Sequence, residues 1–249
     1  MEELSDFPKI YCPFIRKTFS ISKEEWAANG KKLGLRTAEV YLVINKINPG
    51  YEWVIDDKDT IAVEKLNGTN VKLKTEDGRL VALQNRKNII DPLQIMKGKT
   101  FIIEGIFRSI QKGYVEMDGE QVGEVIGPKL QGNPYKLDNH EWYPFDRTIT
   151  SLTYKSFHEH PRDFENWSNW FHLHLRSRYY MKAHKCQMGE ADFAEGVIFY
   201  NLKRRDRGEV WRAKLRRDMF DWFYKDNGIT VPDYNPNANY EIENQENFE

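Results

Sequence analysis

The chain has 249 residues, with 37 Lys and Arg against 38 Asp and Glu and a formal net charge of -1. A hydrophobic share of 40% with 14% aromatic excludes wholesale disorder, and no run approaches the ~18 apolar residues of a membrane span. Two cysteines, Cys12 and Cys186, do not make a disulfide framework, and the opening Met-Glu-Glu-Leu-Ser-Asp lacks a secretion signal's apolar core. A cytoplasmic protein with no membrane association is expected.

Ser22 before Lys23-Glu24-Glu25 predicts a capped short helix, broken by Gly30 and Gly34. Asn48-Pro49-Gly50 predicts a turn. Residues 60–84 predict an antiparallel meander: the β-rich Thr60-Ile-Ala-Val-Glu-Lys, the tight-turn pair Asn67-Gly68, the alternating Val71-Lys-Leu-Lys-Thr, then Leu80-Val-Ala-Leu. Further strands are predicted over 101–107 and 121–126. After Pro161 the apolar period lengthens, and Phe164, Trp167, Phe171 and Leu175 predict one amphipathic helix over 162–183. A strand over 195–200, a turn at Asp206-Arg207-Gly208, a strand over 209–215 and a helix over 217–225 complete the order. Strands mixed with segregated helices indicate an α+β fold. Residues 232–249 hold five acidic side chains and no basic one and read as a flexible acidic tail. Without them the charge is +4, so the body permits a phosphate-bearing partner.

The informative segment is Glu64-Lys65-Leu66-Asn67-Gly68-Thr69-Asn70. A lysine that ends a strand before a glycine turn can project into a cleft that a phosphate approaches closely. Taken alone, the same run reads as a solvated hairpin lysine. Three further runs follow it in order: Gly123-Glu124-Val125-Ile126-Gly127-Pro128, then Glu195-Gly196-Val197-Ile198, then Lys214-Leu215-Arg216. This order resembles the covalent nucleotidyltransferase superfamily of ATP-dependent ligases and capping enzymes. Lys-x-x-Gly-Thr-Asn, Gly-Glu-x-x-Gly-Pro-x-x-Gln and the early Phe7-Pro8-Lys9-Ile10 are most similar to its nick-sealing phage RNA ligases.

The resemblance implies an α+β nucleotidyltransferase (ATP-grasp-like) core of antiparallel sheets flanked by helices, with ATP between the sheets and no OB domain. That core would span 1–231, with residues 1–50 an N-terminal extension packed on it and 232–249 the tail. It implies an RNA ligase acting through a lysyl–AMP intermediate and an AMP-capped 5′ end, in RNA repair, with ATP and Mg²⁺ (or Mn²⁺) as cofactors. Lys65 would be the nucleophile, with Lys214 and Arg216 supplying positive charge around the α-phosphate. Glu195 would approach the metal, Glu124 the ribose hydroxyls, Arg86 the sugar and phosphate, and Glu64 the adenine amino group. Asn70 belongs to the same nucleotide-binding run, and Phe145, in Trp142-Tyr143-Pro144-Phe145, matches the base-stacking position. The partner would be RNA with 5′-phosphate and 3′-hydroxyl ends, in a nicked duplex or a tRNA; a monomer is expected, and the sequence leaves the host open, a phage or virus included.

Two departures stand out. Asn67 occupies a position where many relatives carry Asp or His, and Arg216 replaces the second lysine of Lys-x-Lys, keeping the charge but changing its geometry. A DNA ligase, a capping-type guanylyltransferase and a catalytically silent RNA-binding relative remain open alternatives. His172, His174, His184 and Cys186 do not read as a zinc site, because residues two apart on a helix face different ways. Arg176, Arg178, Lys182, Lys185 and Lys203-Arg204-Arg205 read equally as RNA-phosphate contacts and as a solvated charged face. Substrate contacts outside the core are expected from the first ~50 residues or from 162–183.

Overall fold

The computed structural model of the chain describes residues 3–5, 7–91 and 98–241. Its architecture is α+β, with three antiparallel sheets and helices on their outer faces.

The chain begins with a long hairpin that local signals in the sequence did not reveal. Strand β1 (Phe14–Ser20) pairs with β2 (Glu39–Ile47) in the register Arg16↔Val43 and Thr18↔Tyr41. Between them lies helix α1 (Lys23–Glu25), which runs on into a π turn; Ser22 caps it as expected, its Oγ accepting from Glu25 N at 3.1 Å. A single turn, α2 (Trp53–Asp56), leads into the three strands predicted as a meander: β3 (Ile61–Lys65), β4 (Thr69–Glu76) and β5 (Arg79–Asn85).

Those three strands divide between two sheets. β4 and β5 form the expected hairpin and, with β6 (Asn88–Ile89), belong to a five-stranded sheet. β3 does not pair with β4. Its partner is β9 (Gly196–Tyr200), which also pairs with β10 (Arg212–Arg216), so the order is β10-β9-β3. Leu66-Asn67-Gly68 therefore carries the chain from one sheet to the other. Gly68 passes so close to β7 (Gly119–Ile126) that a Cβ would lie 2.1 Å from Val125 O.

The predicted strand over 101–107 is instead part of helix α3 (Thr100–Gln111). Ile102, Gly105, Ile106 and Ser109 are buried, the i, i+3, i+4, i+7 spacing of one helix face, while Phe107 and Ile110 face outward. The β-branched run looked like strand, but its burial follows the helical period. Ile102 and Ile106 pack on Val71, Leu73 and Val125, covering the outer face of the five-stranded sheet. Each such burial stabilises by roughly 1.5–3 kcal/mol. β8 (Glu141–Pro144) pairs with β7 and completes the order β6-β5-β4-β7-β8; α4 (Phe145–Ser151) follows it directly.

The single helix predicted over 162–183 is two. α5 (Phe164–Leu173) ends before Leu175, and α6 (Arg178–His184) restarts with Ser177 as its cap, Oγ accepting from Tyr180 N at 3.0 Å. Leu175 stays buried across the break, which is why the apolar period ran through it unbroken. α5 packs Trp167, Trp170 and Phe171 on the outer face of the three-stranded sheet, against Val197, Phe199, Ala213 and Leu215. α7 (Leu202–Asp206) joins β9 to β10, and the predicted helix over 217–225 is a 3₁₀ turn followed by α8 (Asp221–Lys225). Among the described residues no strand follows β10.

The stretch read as a flexible tail is packed as far as Glu241; residues 242–249 lie outside the described residues. Tyr234 donates its hydroxyl to Val43 O at 2.9 Å, Asn45 N donates to Pro236 O, and Tyr234 and Tyr240 both meet Phe19 edge-on. Two tyrosines set among Asn, Pro and Glu supply the anchoring that composition alone concealed. No helix among the described residues is long and apolar enough to cross a membrane.

Candidate active site

In a strand, successive side chains leave on opposite faces. On the three-stranded sheet the register places Lys65 beside Gly196 and Arg216, and Val63 beside Ile198 and Lys214, on one face. On the five-stranded sheet Asn70, Glu124 and Tyr143 share a row. The unhelixed faces of the two sheets enclose a cavity of about 570 Å³, a size that suits a nucleotide.

Seven of the residues singled out from the sequence line it: Glu64, Lys65, Asn70, Arg86, Glu124, Phe145 and Lys214. Glu195, the residue before β9, adjoins through Lys65, whose Nζ donates to Glu195 Oε2 at 2.6 Å. Arg216 does not line this cavity. Its guanidinium lies 3.8 Å from Glu195 Oε1 and is held by Asp218 Oδ2 at 3.0 Å, at the edge of a neighbouring cavity. Gly196 stands between Lys65 and Arg216 without a side chain, and a Cβ there would come within 2.3 Å of Leu215 O.

Glu64 departs from its expected place. Its side chain leaves β3 on the face opposite Lys65, where Ser177 Oγ donates to one carboxylate oxygen at 2.6 Å and Tyr179 N to the other at 2.7 Å. Burial pushes its pKa up to about 7, against the lowering effect of those bonds. The carboxylate thus anchors α6 and is not available to a base amino group.

Glu124 is also raised to about 7, first by burial and then by Glu195, with Lys65 and Arg86 pulling the other way. Lys214 is lowered to about 8, by burial and then by the positive charges of Arg216, Lys65 and Arg16. Arg86 holds a left-handed backbone (φ 52) at the β5–β6 turn, a conformation uncommon outside glycine. Asn85 secures that turn, donating to Thr69 Oγ1 at 2.9 Å and to Asn70 O at 2.7 Å while accepting from Lys99 Nζ.

Phe145 opens α4 rather than lying in the strand before it, and Phe7 tilts against it at 5.3 Å. Phe7, Pro8, Lys9, Ile10, Leu66, Thr148, Ile198 and Tyr200 complete the lining without having been assigned a site role from sequence. Alternation along Gly-Val-Ile-Phe-Tyr pairs Ile198 with Tyr200, but only the β3–β9 register shows that they share the face of Lys65. The N-terminal segment spans both walls. Leu4 exchanges two hydrogen bonds with the Gln84 side chain of β5, and Tyr11 O accepts from Lys214 N of β10.

The basic residues considered for RNA contact are largely engaged within the fold. Lys203 pairs with Asp59, Arg204 with Glu209, Arg205 with Asp206, and Arg176 lies 3.8 Å over the Phe193 ring. His172 is stacked on Trp222 and bonded to Asp226. Among the described residues no three His, Cys, Asp or Glu converge as a metal cage.

No family model matches the chain, and no curated protein does. Among solved structures it is similar to an RNA ligase of Naegleria gruberi, a mutant with ATP and Mn (12% identity, TM-score 0.40, 68% of this chain and 52% of that one). The same ligase with PPi gives 16% identity and a TM-score of 0.38, over 67% and 52%. An apo mutant of it gives 14% and 0.39, over 90% and 61%. The chain thus spans about half to three-fifths of the solved relatives it matches. A likeness at this level carries no weight for the reaction, which is read from the cavity.

Proposed function

We propose that the chain is an ATP-dependent RNA ligase that works through a lysyl–AMP intermediate, within the RNA repair setting the sequence resemblance implies. The observation that carries this reading is one side chain in its setting. Lys65 ends β3 in a nucleotide-sized cavity, hydrogen-bonded to Glu195 and faced by Lys214, Arg86 and Glu124. A lysine held this way between a carboxylate and further cations suits attack on a phosphate, because it has both an acceptor for its proton and neutralising charge for the leaving oxygens.

In this reading Lys65 Nζ attacks the α-phosphorus of ATP, a P–N bond forms and pyrophosphate leaves. Glu195, at 2.6 Å, is placed to take the proton the amine gives up. Lys214 and Arg86 neutralise phosphate oxygens, the Glu124 carboxylate accepts from ribose hydroxyls, and the base lies between Phe145 and Ile198. A 5′-phosphate of RNA then takes the AMP, and a 3′-hydroxyl displaces AMP to seal the strand. Mg²⁺ binds through one or two carboxylates plus water and substrate phosphates, and the single carboxylate of Glu195 fits that pattern rather than an all-protein cage. Bound there, the ion would supply charge neutralisation at the phosphates. RNA rather than DNA rests on the Lys-x-x-Gly-Thr-Asn and Phe7-Pro8-Lys9-Ile10 runs.

Incubation with α-labelled ATP or GTP and separation under denaturing conditions tests the reading. A covalent AMP adduct is expected with ATP alone and is absent from Lys65→Ala. An adduct that survives that substitution, or one formed only with GTP, overturns it. Sealing of nicks with RNA or DNA on each side of the break then separates RNA ligase from DNA ligase.

A further inference from the structure

Beside the site lies a second cavity of about 580 Å³, which shares Lys9, Ile10 and Lys214 with the first. Its outer wall belongs to the N-terminal hairpin, with Arg16 from β1, Tyr41 from β2 and Tyr51 from the turn beyond. Its charge differs in kind from that of the first. Lys9, Arg16, Lys214 and Arg216 face it, and among the described residues no Asp or Glu lines it. The first cavity, by contrast, carries the Glu124 carboxylate and adjoins Glu195 through Lys65. Arg216 is held at its Nη atoms by Asp218 and Glu195, while its buried Nε has no hydrogen-bond partner among the described residues. Cations gathered around a partly buried space without lining carboxylates favour an anion there.

The wall is also aromatic. Tyr41 is 41% exposed and lies 5.6 Å from the Arg16 guanidinium, and Tyr11 and Tyr51 border the same space. Cations interleaved with exposed rings suit a nucleotide end, with its phosphate on the charges and its base or ribose on the rings. The cavity is also aligned with the nucleophile. β3 and β10 are the two edges of their sheet, and Lys65, Gly196 and Arg216 form one row across it. The Cα atoms at its ends are thus roughly two strand spacings, about 10 Å, apart. Glu195 contacts both ends of that row. In-line displacement at the AMP phosphorus brings the attacking oxygen from the side opposite the lysine nitrogen. The second cavity opens at the β10 end of that row, across Gly196 from Lys65.

We propose that this hairpin-walled cavity binds the 5′-phosphorylated end of the RNA strand that accepts AMP; the proposal rests on the lysyl–AMP reading and assigns the acceptor its place. An oxygen of the RNA 5′-phosphate attacks the AMP phosphorus, forming a P–O bond as the P–N bond to Lys65 breaks. The electron pair returns to Nζ, which takes a proton from solvent, and the product is RNA carrying a 5′–5′ linked AMP. Lys9, Arg16 and Arg216 hold the incoming phosphate, and Tyr41 and Tyr51 bear on its nucleoside.

Arg16→Gln and the solvent-facing Tyr41→Ala test it in three measurements. Fluorescence anisotropy of labelled short RNAs is expected to show tighter binding of a 5′-phosphate than of a 5′-hydroxyl end. Arg16→Gln should reduce that preference about 10- to 100-fold, the usual size of a lost charge-assisted hydrogen bond. Adduct formation from labelled ATP, without RNA, stays at the wild-type rate in both variants. Single-turnover transfer of AMP from purified adduct to 5′-phosphorylated RNA slows by a similar factor, more for Arg16→Gln than for Tyr41→Ala. Wild-type preference and transfer in Arg16→Gln overturn the proposal. Loss of adduct formation in step with transfer also overturns it, because the cavity would then serve ATP. If wild-type protein forms no adduct, the parent reading fails, and the anisotropy comparison still decides for or against the cavity.

Discussion

Glu64 and Glu124 carry the same perturbation and opposite duties. Each has a carboxyl raised to about 7, with burial as the first cause. On the helix side of the three-stranded sheet, Glu64 is answered by protein, one donor from Ser177 and one from Tyr179. In the cavity, Glu124 is answered mainly by charge, Lys65 and Arg86 pulling against Glu195, with the Gly68 amide as its backbone donor, and its carboxylate lines the space a ligand would fill. A shifted carboxyl therefore does not mark a site by itself. What separates the two is whether the fold has already supplied the partners.

Removing both oxygens tests that distinction most severely. Glu64→Ala leaves the Ser177 hydroxyl and the Tyr179 amide as buried donors without acceptors and detaches the start of α6 from β3. A stability loss of about 2–5 kcal/mol is expected, read as a fall in the denaturant midpoint at unchanged slope. Glu124→Gln should do the reverse. Its denaturation midpoint stays level or rises, while kcat/KM for adduct formation falls about 10- to 100-fold through loss of a charged acceptor. If Glu124→Gln unfolds the protein and Glu64→Ala leaves it stable but inactive, the two duties are the wrong way round.

How much of this was legible in the sequence follows the same divide. Lys65, Asn70, Arg86, Glu124, Phe145 and Lys214 converge in one cavity because they sit in short runs whose order along the chain could be read directly. Glu64 could not be placed that way. Alternation along β3 already sends Glu64 and Lys65 to opposite faces, but only the pairing of β3 with β9, some 130 residues on, shows which of the two meets the cavity. The same non-local pairing hid the β1–β2 hairpin and sent β3 away from its expected meander. The strand expected over 101–107 failed for a local reason. Its residues favour strand intrinsically, and the sheet beneath rewarded them as one face of α3. Arg216 illustrates a third limit: it shares a face with Lys214, two residues back on β10, but Asp218 holds its guanidinium at the next cavity.

Acidity distinguishes the glutamates more finely. Both folded-state carboxyls hold their proton to about pH 7, whereas the unfolded chain releases it near 4.5. Between those values the folded state binds more protons, so stability is greatest below about 4.5 and declines as pH rises through 7. Thermal midpoints across that window should show the decline in wild-type protein and a shallower one in Glu124→Gln. Glu64→Gln should flatten the decline as well, from a lower starting stability, because one of its new amide hydrogens faces a donor. A decline of wild-type steepness in both variants would remove these carboxyls as its source.

The smallest effect expected is on the alkaline side, and it belongs to the wall opposite Glu124. Lys214 is lowered to about 8 by burial and by Arg216, Lys65 and Arg16, so in the free protein it begins to lose its charge just above neutral pH. The cation that should neutralise the α-phosphate is therefore weakest where an amine nucleophile is most readily deprotonated. Since kcat/KM reports the free enzyme, adduct formation should decline above about pH 8 and below about pH 7, where Glu124 takes its proton. Lys214→Arg keeps its charge across this range and should move only the alkaline limb upward, at some cost in rate from the changed geometry. Glu124→Gln should abolish only the acid limb. Should Lys214→Arg leave the alkaline limb in place, that limb belongs to another group, and the two walls of the cavity do not divide the titration as their charges indicate.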